Sequence, residues 1–386
     1  MRALTPLTEE QREIQKVARE FAQAEIAPYS EQWDRDSHFE ESLVGKLGEL
    51  GFLGMMIPEQ YDGLGLDTLT YLVALEEIAI VDASVAVMLS VHNSLPTQML
   101  LRWGTEEQKE RFLKPMARGE LLGAFALSEP EAGSDAASLR TQAVRDGDHW
   151  VLNGTKAWVT SGTKAGVFLA MARTDSPDDR RGARGISTFI ITPDLPGFHV
   201  AKKEDKMGLR ASPTVQLHFS DMRVPADRLL GEPGNGFIYA MQSLDNGRLG
   251  IAAQSIGIAE AALRHSIAYA AERRQFGKPI KEFQAIQFKL ADMAARITAA
   301  RALLHMSATA KDRGEAITQF GSMAKLLASE TAMWVTTQAV QIFGGYGYVK
   351  DYPVERLFRD AKVTEIYEGT SEVQRIVIAR ELYSHT

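Results

Sequence analysis

The sequence contains no cysteine, which excludes thiol nucleophiles, zinc–thiolate sites and iron–sulfur clusters and fits a reducing compartment. Its eight histidines are scattered, with no pair at i and i+4, so a metal site is not expected. No run of 18 apolar residues is present, so no membrane-spanning segment is expected. The net charge of −7 argues against a nucleic-acid-binding protein.

Familiar nucleotide and hydrolase motifs are also missing. The sequence has no G-x-G-x-x-G loop after a strand, no Walker A loop, no G-x-S-x-G and no H-E-x-x-H. Any bound nucleotide must therefore be held without a Rossmann fold. The first residues, MRALTPLTEEQREIQ, are acidic where a signal peptide needs an apolar core, so a cytoplasmic, bacterial-type protein is expected.

Proline is rare in the C-terminal part of the chain. Only three of the 14 prolines follow residue 230, and proline breaks helix interiors, so this part has room for long helices. Apolar spacing and stop signals predict four helices, over 237–276, 282–313, 315–343 and from about 372 to the end. Four such helices with short connections predict a bundle.

The middle of the chain predicts β-structure. Residues 150–161 combine β-forming residues with Asn153-Gly154, the strongest short-range signal for a hairpin turn. Further strands are predicted over 167–172, 185–192 and 214–219. Together they predict a small antiparallel barrel or sandwich.

The first part of the chain is predicted to be helical. Thr8 and Gln11 fit a capping box, apolar helices are predicted over 68–80 and 84–101, and Thr105 is predicted to cap another helix. The expected fold is therefore an α+β multi-domain protein. Its expected domains are an N-terminal α-helical domain (1–120), a middle β domain (121–230) and a C-terminal four-helix bundle (231–386).

Two segments of the middle part are suited to ligand binding. FALSEPEAGSD, residues 125–135, places small and hydroxyl residues after a short apolar run, where backbone N–H groups can meet a polar ligand. The alternative, which composition alone favours, is a plain β-to-loop turn. In KAWVTSG, residues 156–162, Trp158 and Thr160 share one strand face, on which an aromatic ring could pack against a flat cofactor. The alternative is an ordinary half-buried strand.

The third segment is EIYEGTSEVQR, near the C-terminus. Ser371 and Gln374 fit a capping box, which predicts a helix from about Glu372. Glu368 then lies in the loop before that helix, and desolvation beside Tyr367 would raise its pKa and suit it as a general base. The alternative is a solvated loop carboxylate.

At these residues the sequence resembles the acyl-CoA dehydrogenase family. The resemblance covers essentially the whole chain and rests on six motifs in family order: ALSEPEAGSD, KAWVTSG, LDNGRLGIAAQ, ERRQFGKPI, QIFGGYGY and IYEGTSEVQR. The C-terminal half is most similar to the short-chain, butyryl-CoA branch. The resemblance implies an FAD-dependent oxidoreductase of fatty-acid β-oxidation, in a family that is usually tetrameric.

The resemblance implies an FAD site in two parts. The residues implied within one subunit are Phe125, Ala126, Leu127, Ser128, Gly133, Ser134, Trp158, Val159, Thr160, Thr370, Ser371 and Glu372. Trp158 would pack against the flavin, and Thr160 would hydrogen-bond near N5. The residues implied from a neighbouring subunit are Arg273, Phe276, Gln284, Gln341, Ile342, Gly344 and Gly345, with Arg273 on the pyrophosphate. The protein is therefore expected to be at least a dimer, with a dimer of dimers implied. Without the resemblance, Arg273 would be an ordinary surface arginine.

The resemblance also implies the substrate contacts and the catalytic base. The acyl-CoA contacts implied are Ser134, Asp245, Asn246, Gly247, Arg248 and Gly369. Asp245 and Arg248 could instead form a surface salt bridge, since they lie one helical turn apart. Glu368 falls at the base of the short- and medium-chain members. Long-chain and isovaleryl members carry the base on the helix that here holds Gly247, so Glu368 is the one candidate.

The implied reaction is the dehydrogenation of a short- to medium-chain acyl-CoA to trans-2-enoyl-CoA. Glu368 removes the pro-R α-proton, its backbone N–H stabilises charge on the thioester oxygen, and a β-hydride moves to flavin N5. The electrons pass to an electron-transferring flavoprotein. Residues 83–91 lack the arginine that the glutaryl-CoA branch needs, so dicarboxyl substrates are disfavoured.

Several alternatives remain open at the level of sequence. A branched short-chain acyl-CoA dehydrogenase would share every motif. An acyl-CoA oxidase would share the half-reaction, but its chains are usually much longer. A flavin monooxygenase or nitroalkane oxidase usually alters the Glu-Gly-Thr loop, which is intact here. A non-catalytic flavin-binding scaffold is disfavoured by the presence of Glu368.

Overall fold

The computed structural model describes residues 5–175 and 182–384, which run from helices to strands and back to helices, as predicted. The first part contains α1 (Glu9–Phe21), α2 (Ser30–Asp36), α3 (Ser42–Glu49), α4 (Thr68–Val81), α5 (Ala83–Ser94), α6 (Pro96–Trp103), α7 (Glu106–Gln108) and α8 (Lys114–Ala117). Two π-helical turns, Ala22–Ile26 and Lys109–Leu113, follow α1 and α7.

The helix starts predicted at Thr8 and Thr105 are confirmed. The Gln11 N–H donates to the Thr8 hydroxyl (3.1 Å) while the Gln11 side chain accepts from the Thr8 N–H (3.0 Å), which is a complete capping box. Thr105 and Gln108 make the same reciprocal pair at the start of α7.

The single helix predicted over 84–101 is wrong, because the structure has two. Helix α5 ends at Ser94 and α6 begins at Pro96. Pro96 has no N–H to donate to the carbonyl of His92, and the Thr97 hydroxyl donates to that carbonyl instead (2.9 Å).

Helices α4 and α5 are almost entirely buried, because the first and last parts of the chain share one core. Every residue of α5 is buried. Both helices pack against the first long helix of the C-terminal part, α9 (Gly236–Glu272). A helix that is apolar on all sides is expected in such a position.

The middle part forms one eight-stranded sheet. Its strands are β1 (Gly123–Ala126), β2 (Gln142–Asp146), β3 (His149–Thr160), β4 (Val167–Arg173), β5 (Ile186–Ile191), β6 (Phe198–Lys203), β7 (Thr214–Pro225) and β8 (Leu229–Leu230), in the order β6-β7-β3-β2-β4-β5-β8, with β1 beside β4. Most pairings are antiparallel, but β1 and β2 each pair with β4 in parallel. The rings of Phe168 on β4 and Phe198 on β6 lie 5.1 Å apart, so the sheet curls over itself as a barrel or sandwich does.

The hairpin turn predicted at Asn153-Gly154 is wrong. Strand β3 runs straight through both residues, with an irregularity in its register against β7 between Leu152 and Gly154. Gly154 has a φ of +154° and lies so close to Thr141 that a side chain would overlap it, so this glycine serves a close approach between strands and not a turn.

The four helices predicted for the last part are present as α9, α10 (Gln284–Asp312), α11 (Thr318–Phe343) and α13 (Ser371–Ser384). A further helix, α12 (Val354–Thr364), was not predicted, although its buried Val354, Leu357 and Ala361 recur at helical spacing directly after Pro353. Helix α9 ends at Glu272, before a short hairpin of β9 (Arg274–Gln275) and β10 (Lys278–Pro279). Within the described ranges, none of the helices combines the length and apolar character needed to cross a bilayer.

Candidate active site

Glu368 lies in the turn between α12 and α13, in an unusual backbone conformation. Its φ is +52°, and Gly369 follows at +92°. The left-handed region costs a non-glycine residue about 1 to 3 kcal/mol and is common at functional sites. Both carboxylate oxygens of Glu368 are buried, and no hydrogen-bond partner for them occurs among the described residues. A buried acceptor left without a donor indicates a place where a ligand binds.

Helix α9 provides the space that the carboxylate occupies. A Cβ atom at Gly247 would overlap Oε2 of Glu368 and lie 2.9 Å from its Cδ and 3.2 Å from Leu95. Residue 247 must therefore be glycine if the carboxylate is to lie where it does. Gly247 thus acts by lacking a side chain.

Two buried side chains hold the turn around Glu368. Gln374 donates to the carbonyls of Glu368 (3.1 Å) and Gly369 (2.8 Å), and the Lys325 ammonium donates to the Gly369 carbonyl (2.8 Å). In the turn held in this way, the Glu368 N–H makes no hydrogen bond within the described part of the chain. It is therefore available to a ligand oxygen.

The electrostatics of the turn suit a base that works near neutral pH. Burial raises the pKa of Glu368 to about 7, and the positive charges of Lys325 and Arg248 oppose that rise. A base is most effective when its pKa is close to the working pH.

The capping box predicted at the start of α13 is wrong. Gln374 does not cap Ser371, because its amide is turned to the carbonyls of the Glu368 turn. The Thr370 hydroxyl accepts from the Val373 N–H instead (3.3 Å), and the helix begins at Ser371. The buried Ser371 Oγ has no hydrogen-bond partner in the described structure. This hydroxyl, at a helix N-terminus, is therefore available to bind a ligand.

The predicted flavin segments 125–134 and 156–162 are joined to each other. The Ala157 N–H donates to the Ser128 carbonyl (2.9 Å). The buried Lys156 ammonium donates to the Leu127 carbonyl (3.1 Å) and pairs with Glu129 (2.8 Å). This buried ion pair fixes the end of β1 against β3.

A bulge in β3 presents Trp158 to the outside. The register against β7 slips between Lys156 and Val159, and Trp158 has a φ of +62° and a 61% exposed side chain. Bulges often redirect a side chain next to an active site. Thr160 is half-buried, whereas the side chains of Val159, Ala126 and Leu127 point into the core. Those three could offer only backbone atoms to a ligand.

The remaining predicted residues of this region are divided between core and surface. Phe125 is partly buried and packs against the same two cores as Leu244, which brings the end of β1 to the part of α9 that faces Glu368. Ser128 and Asn246 are half-buried, and Gly133, Ser134 and Glu372 are exposed.

Asp245 and Arg248 do form an ion pair (2.5 Å), but it is not at the surface. Asp245 also accepts from the Thr318 hydroxyl (2.7 Å), and Arg248 donates to Ser322 (3.2 Å), so both residues are tied to α11. The surface alternative is therefore wrong for this pair.

Four of the seven residues predicted to serve a neighbouring subunit lie in a different cleft of about 860 Å³. Arg273, Ile342, Gly344 and Gly345 line it, and the Arg273 guanidinium lies over the Tyr346 ring at 5.4 Å. None of residues 125–134, 158–160 or 368–372 lines this cleft. The other three predicted residues, Phe276, Gln284 and Gln341, do not line the cleft and are exposed. Phe276 is 93% exposed at the tip of the β9–β10 hairpin.

Three polar residues near Glu368, namely Tyr71, Ser90 and Gln254, were not predicted, whereas Tyr367 was expected beside it. Tyr367 donates to Gln254 of α9, and Gln254 donates to the Ala83 carbonyl (2.8 Å). The hydroxyls of Tyr71 and Ser90 are buried without a partner in the described structure. The sequence feature that indicates this face is the spacing of Gly247, Gly250 and Gln254, which places all three on one side of α9.

The residues present fit an FAD molecule bound in two parts. An exposed aromatic ring stands on a bulged strand, an orphaned hydroxyl lies at the N-terminus of a long helix, and a separate cleft carries an arginine with its neighbouring glycines. Such groups suit a flat ring, a diphosphate and a second anionic contact, respectively.

The fold and the site together define a class: a helix–sheet–helix chain with one buried, unpaired carboxylate on a strained turn. Three family models match it, for the N-terminal domain (residues 8–120), the middle domain (124–222) and the C-terminal domain (234–383) of acyl-CoA dehydrogenase. The chain belongs to the acyl-CoA dehydrogenase family. It is an oxidoreductase with FAD as its cofactor.

Similar proteins lie in the short-chain branch, as predicted. The mitochondrial short-chain specific acyl-CoA dehydrogenase of Bos taurus is 49% identical, over 97% of this chain and 90% of that protein. Butyryl-CoA dehydrogenase from Megasphaera elsdenii has a TM-score of 0.96 at 46% identity, over 98% of this chain and 99% of the other. A chain in a structure of the electron transferring flavoprotein of Acidaminococcus fermentans, studied for flavin-based electron bifurcation, has a TM-score of 0.96 at 48% identity, over 98% of both chains.

Proposed function

We propose that the protein oxidises short, straight-chain acyl-CoA thioesters to trans-2-enoyl-CoA, with Glu368 as the catalytic base. The observation that carries the proposal is the Glu368 carboxylate, buried without a hydrogen bond in the space left by Gly247. A carboxylate that is neither solvated nor paired, with its pKa raised to about 7, is ready to take a proton.

The turn around Glu368 supplies both the base that takes the proton and a hydrogen-bond donor that stabilises the resulting charge. The side chain takes the pro-R proton from the carbon next to the thioester, and the free Glu368 N–H donates to the thioester oxygen on which charge develops. FAD, held by the segments 125–134, 158–160 and 370–372, would supply the acceptor for the hydride of the β-carbon. Asp245 is not a second base, because Arg248 and Thr318 hold it.

We assign the two parts of the FAD site to two subunits. The segments 125–134, 158–160 and 370–372 would hold FAD in one copy, and the cleft around Arg273 would contact the FAD of the other. The lack of shared lining residues supports this division. Large exposed apolar side chains on the C-terminal part, namely Ile267, Phe288, Met306, Phe320 and Leu327, support further contacts and hence a dimer of dimers.

We also propose three domains, 1–120, 121–230 and 231–386, since α8 ends at Ala117 and β8 at Leu230.

The polar residues beside the turn favour a short acyl chain. Gly247, Gly250 and Gln254 follow one face of α9, where the Ser90 and Tyr71 hydroxyls lie over Gly250 and Gln254 follows one helical turn on. Gln254 is held by Tyr367 and by the Ala83 carbonyl, so it closes this path. A dicarboxyl substrate is not favoured, because residues 83–91 of α5 hold no arginine or lysine. The buried His92 that follows them is neutral: its ring accepts from the Gly123 N–H and contacts the Leu53 carbonyl, and burial lowers its pKa to about 4.

Shortening Gln254 is expected to lengthen the preferred substrate. Gln254→Ala removes the closing amide, and we expect the ratio of kcat/KM for octanoyl-CoA to that for butyryl-CoA to rise about tenfold. Steady-state kinetics with both thioesters measure this ratio. The matched control is Gln242→Ala, an exposed glutamine on the same helix, which should leave the ratio unchanged. An unchanged ratio in Gln254→Ala would place the end of the pocket elsewhere.

Activity is expected to rise with pH through about 7. Glu368 can accept a proton only when it is ionised, and burial raises its pKa to about 7, so ionisation is incomplete below that pH. The rate of anaerobic flavin reduction by butyryl-CoA, measured across the neutral range, tests this. A rate that is flat or falls as pH rises would argue against a carboxylate base with this pKa.

An anaerobic titration of the FAD-loaded protein tests the proposed function itself. Butyryl-CoA should bleach the oxidised flavin band, hexanoyl-CoA should do so less well, and isobutyryl- and octanoyl-CoA poorly. We further propose an electron-transferring flavoprotein as the acceptor, which the similarity to a chain from such a structure supports. Reoxidation by that flavoprotein without peroxide release is expected, whereas rapid peroxide release would indicate an oxidase. Failure of every thioester to bleach the flavin would refute the proposal.

A further inference from the structure

Lys325 is an unusual buried cation. It lies on α11, its side chain is fully buried, and its ammonium donates to the Gly369 carbonyl at 2.8 Å. No carboxylate lies within 4.0 Å of that ammonium in the part of the chain that the structure describes. A charge taken out of water without a close counter-ion is costly, so such a residue needs an explanation.

Three other buried cations in this fold have close carboxylate partners. Lys156 pairs with Glu129, Arg248 with Asp245, and Arg301 with both Glu76 and Glu260. These pairs are explained by packing alone. The strongest attraction on Lys325 comes instead from Glu368, on the very turn that its hydrogen bond holds.

The charges that face Glu368 come from two helices. Arg248 on α9 is largely compensated by Asp245, which leaves Lys325 on α11 as the uncompensated positive charge. The hydroxyls of Tyr71 on α4 and of Tyr367 face the carboxylate as neutral groups, since burial raises the pKa of both. Glu365 and Glu372, on either side of the turn, act on Lys325 more weakly than Glu368 does.

We infer that Lys325 is a positioning residue of the catalytic turn: its ammonium fixes the Gly369 carbonyl, and its charge stabilises the ionised form of Glu368. This inference rests on the proposed function. The hydrogen bond holds the left-handed turn, in which the Glu368 N–H stays free for the thioester oxygen. The charge favours carboxylate over carboxylic acid in a site where burial alone would keep the proton on.

The roles of hydrogen bond and charge can be separated by substitution. Lys325→Met removes both, Lys325→Gln keeps a donor for the Gly369 carbonyl without the charge, and Lys325→Arg keeps both. The readout is the rate of anaerobic flavin reduction by butyryl-CoA against pH, in FAD-loaded protein, together with the concentration of butyryl-CoA that gives half the maximal rate.

We expect Lys325→Met to reduce the maximal rate about tenfold and to move the midpoint of the pH profile upward by about one unit. Lys325→Gln should show the shift in midpoint with a smaller loss of rate, and Lys325→Arg should restore the wild-type midpoint. The half-saturating concentration should change little, because the ammonium contacts the turn and not the ligand. A structural role alone would change stability and leave the midpoint where it is.

Lys311→Met is the matched control. Lys311 lies on α10, burial lowers its pKa to about 8 as it does for Lys325, and it does not face Glu368. Its variant should keep the wild-type midpoint. An unchanged midpoint in Lys325→Met, with an active wild type, would overturn the inference and leave the proposed function standing. Should methionine at 325 prevent folding, equal midpoints for the glutamine and arginine variants would overturn it. A wild type that butyryl-CoA does not bleach would overturn both.

Discussion

Glu368→Gln is expected to keep bound FAD and to lose catalytic turnover by about 10³-fold or more. The glutamine amide has nearly the shape of the carboxylate but cannot take a proton. No other described carboxylate is free at the turn, because Asp245 is held by Arg248 and Thr318. The measurement is kcat for butyryl-CoA with an artificial electron acceptor, alongside the flavin content of the purified variant.

A control variant and a stability measurement make this prediction specific. Glu365→Gln, which removes a carboxylate that pairs with Lys362 near the same turn, should keep most of the activity. The free energy of unfolding of the wild type should also fall over the pH range in which its activity rises. Because burial raises the folded-state pKa of Glu368, the wild type loses stability as pH rises from about 4.5 to above 7, and the glutamine variant should lack this loss. Substantial turnover in Glu368→Gln would refute the assignment of the base.

Gly247→Ala is expected to reduce kcat about 100-fold while the protein stays folded. The added methyl group would overlap Oε2 of Glu368 and crowd Leu95. The carboxylate is the free end of a flexible side chain, so it moves away and the helix backbone does not. Alanine is the better helix former by about 1 kcal/mol, which offsets part of the crowding. The measurements are kcat for butyryl-CoA and the midpoint of thermal unfolding.

Gly45→Ala is a matched control for this change. Gly45 lies in helix α3, and a Cβ there would meet nothing within 4 Å. Its variant should therefore keep full activity and gain the same helix propensity. Wild-type kcat in Gly247→Ala would show that the carboxylate does not need the position in which it lies.

How far the sequence predicted the molecule depends on the range of the interaction involved. Capping at Thr8 and Thr105 is local, and both capping boxes are present. The box at Ser371 failed for a non-local reason. The Gln374 amide is needed for the carbonyls of the Glu368 turn, a tertiary demand that no spacing rule contains. The hairpin at Asn153-Gly154 failed in the same way, because the glycine allows a close approach to Thr141, directly before the neighbouring strand β2.

The candidate site shows the same limit. The motif around Glu368 drew attention to a possible base, but only packing reveals that its oxygens are buried against Gly247. Lys325 could not be found, because a single lysine in a helix of mixed polar and apolar residues resembles a solvated residue. Its contact with Gly369 joins residues 44 positions apart in the sequence. Such pairings come from the three-dimensional fold and not from local pattern.

The central claim is that one buried carboxylate moves the α-proton of the thioester. Anaerobic incubation of the FAD-loaded protein with butyryl-CoA in D₂O, without an electron acceptor, reads that proton directly by mass spectrometry of the recovered butyryl-CoA. We predict that the wild type introduces deuterium at the α-carbon as the reaction reverses, and that Glu368→Gln does not. Deuterium incorporation at the wild-type rate in Glu368→Gln would contradict the account.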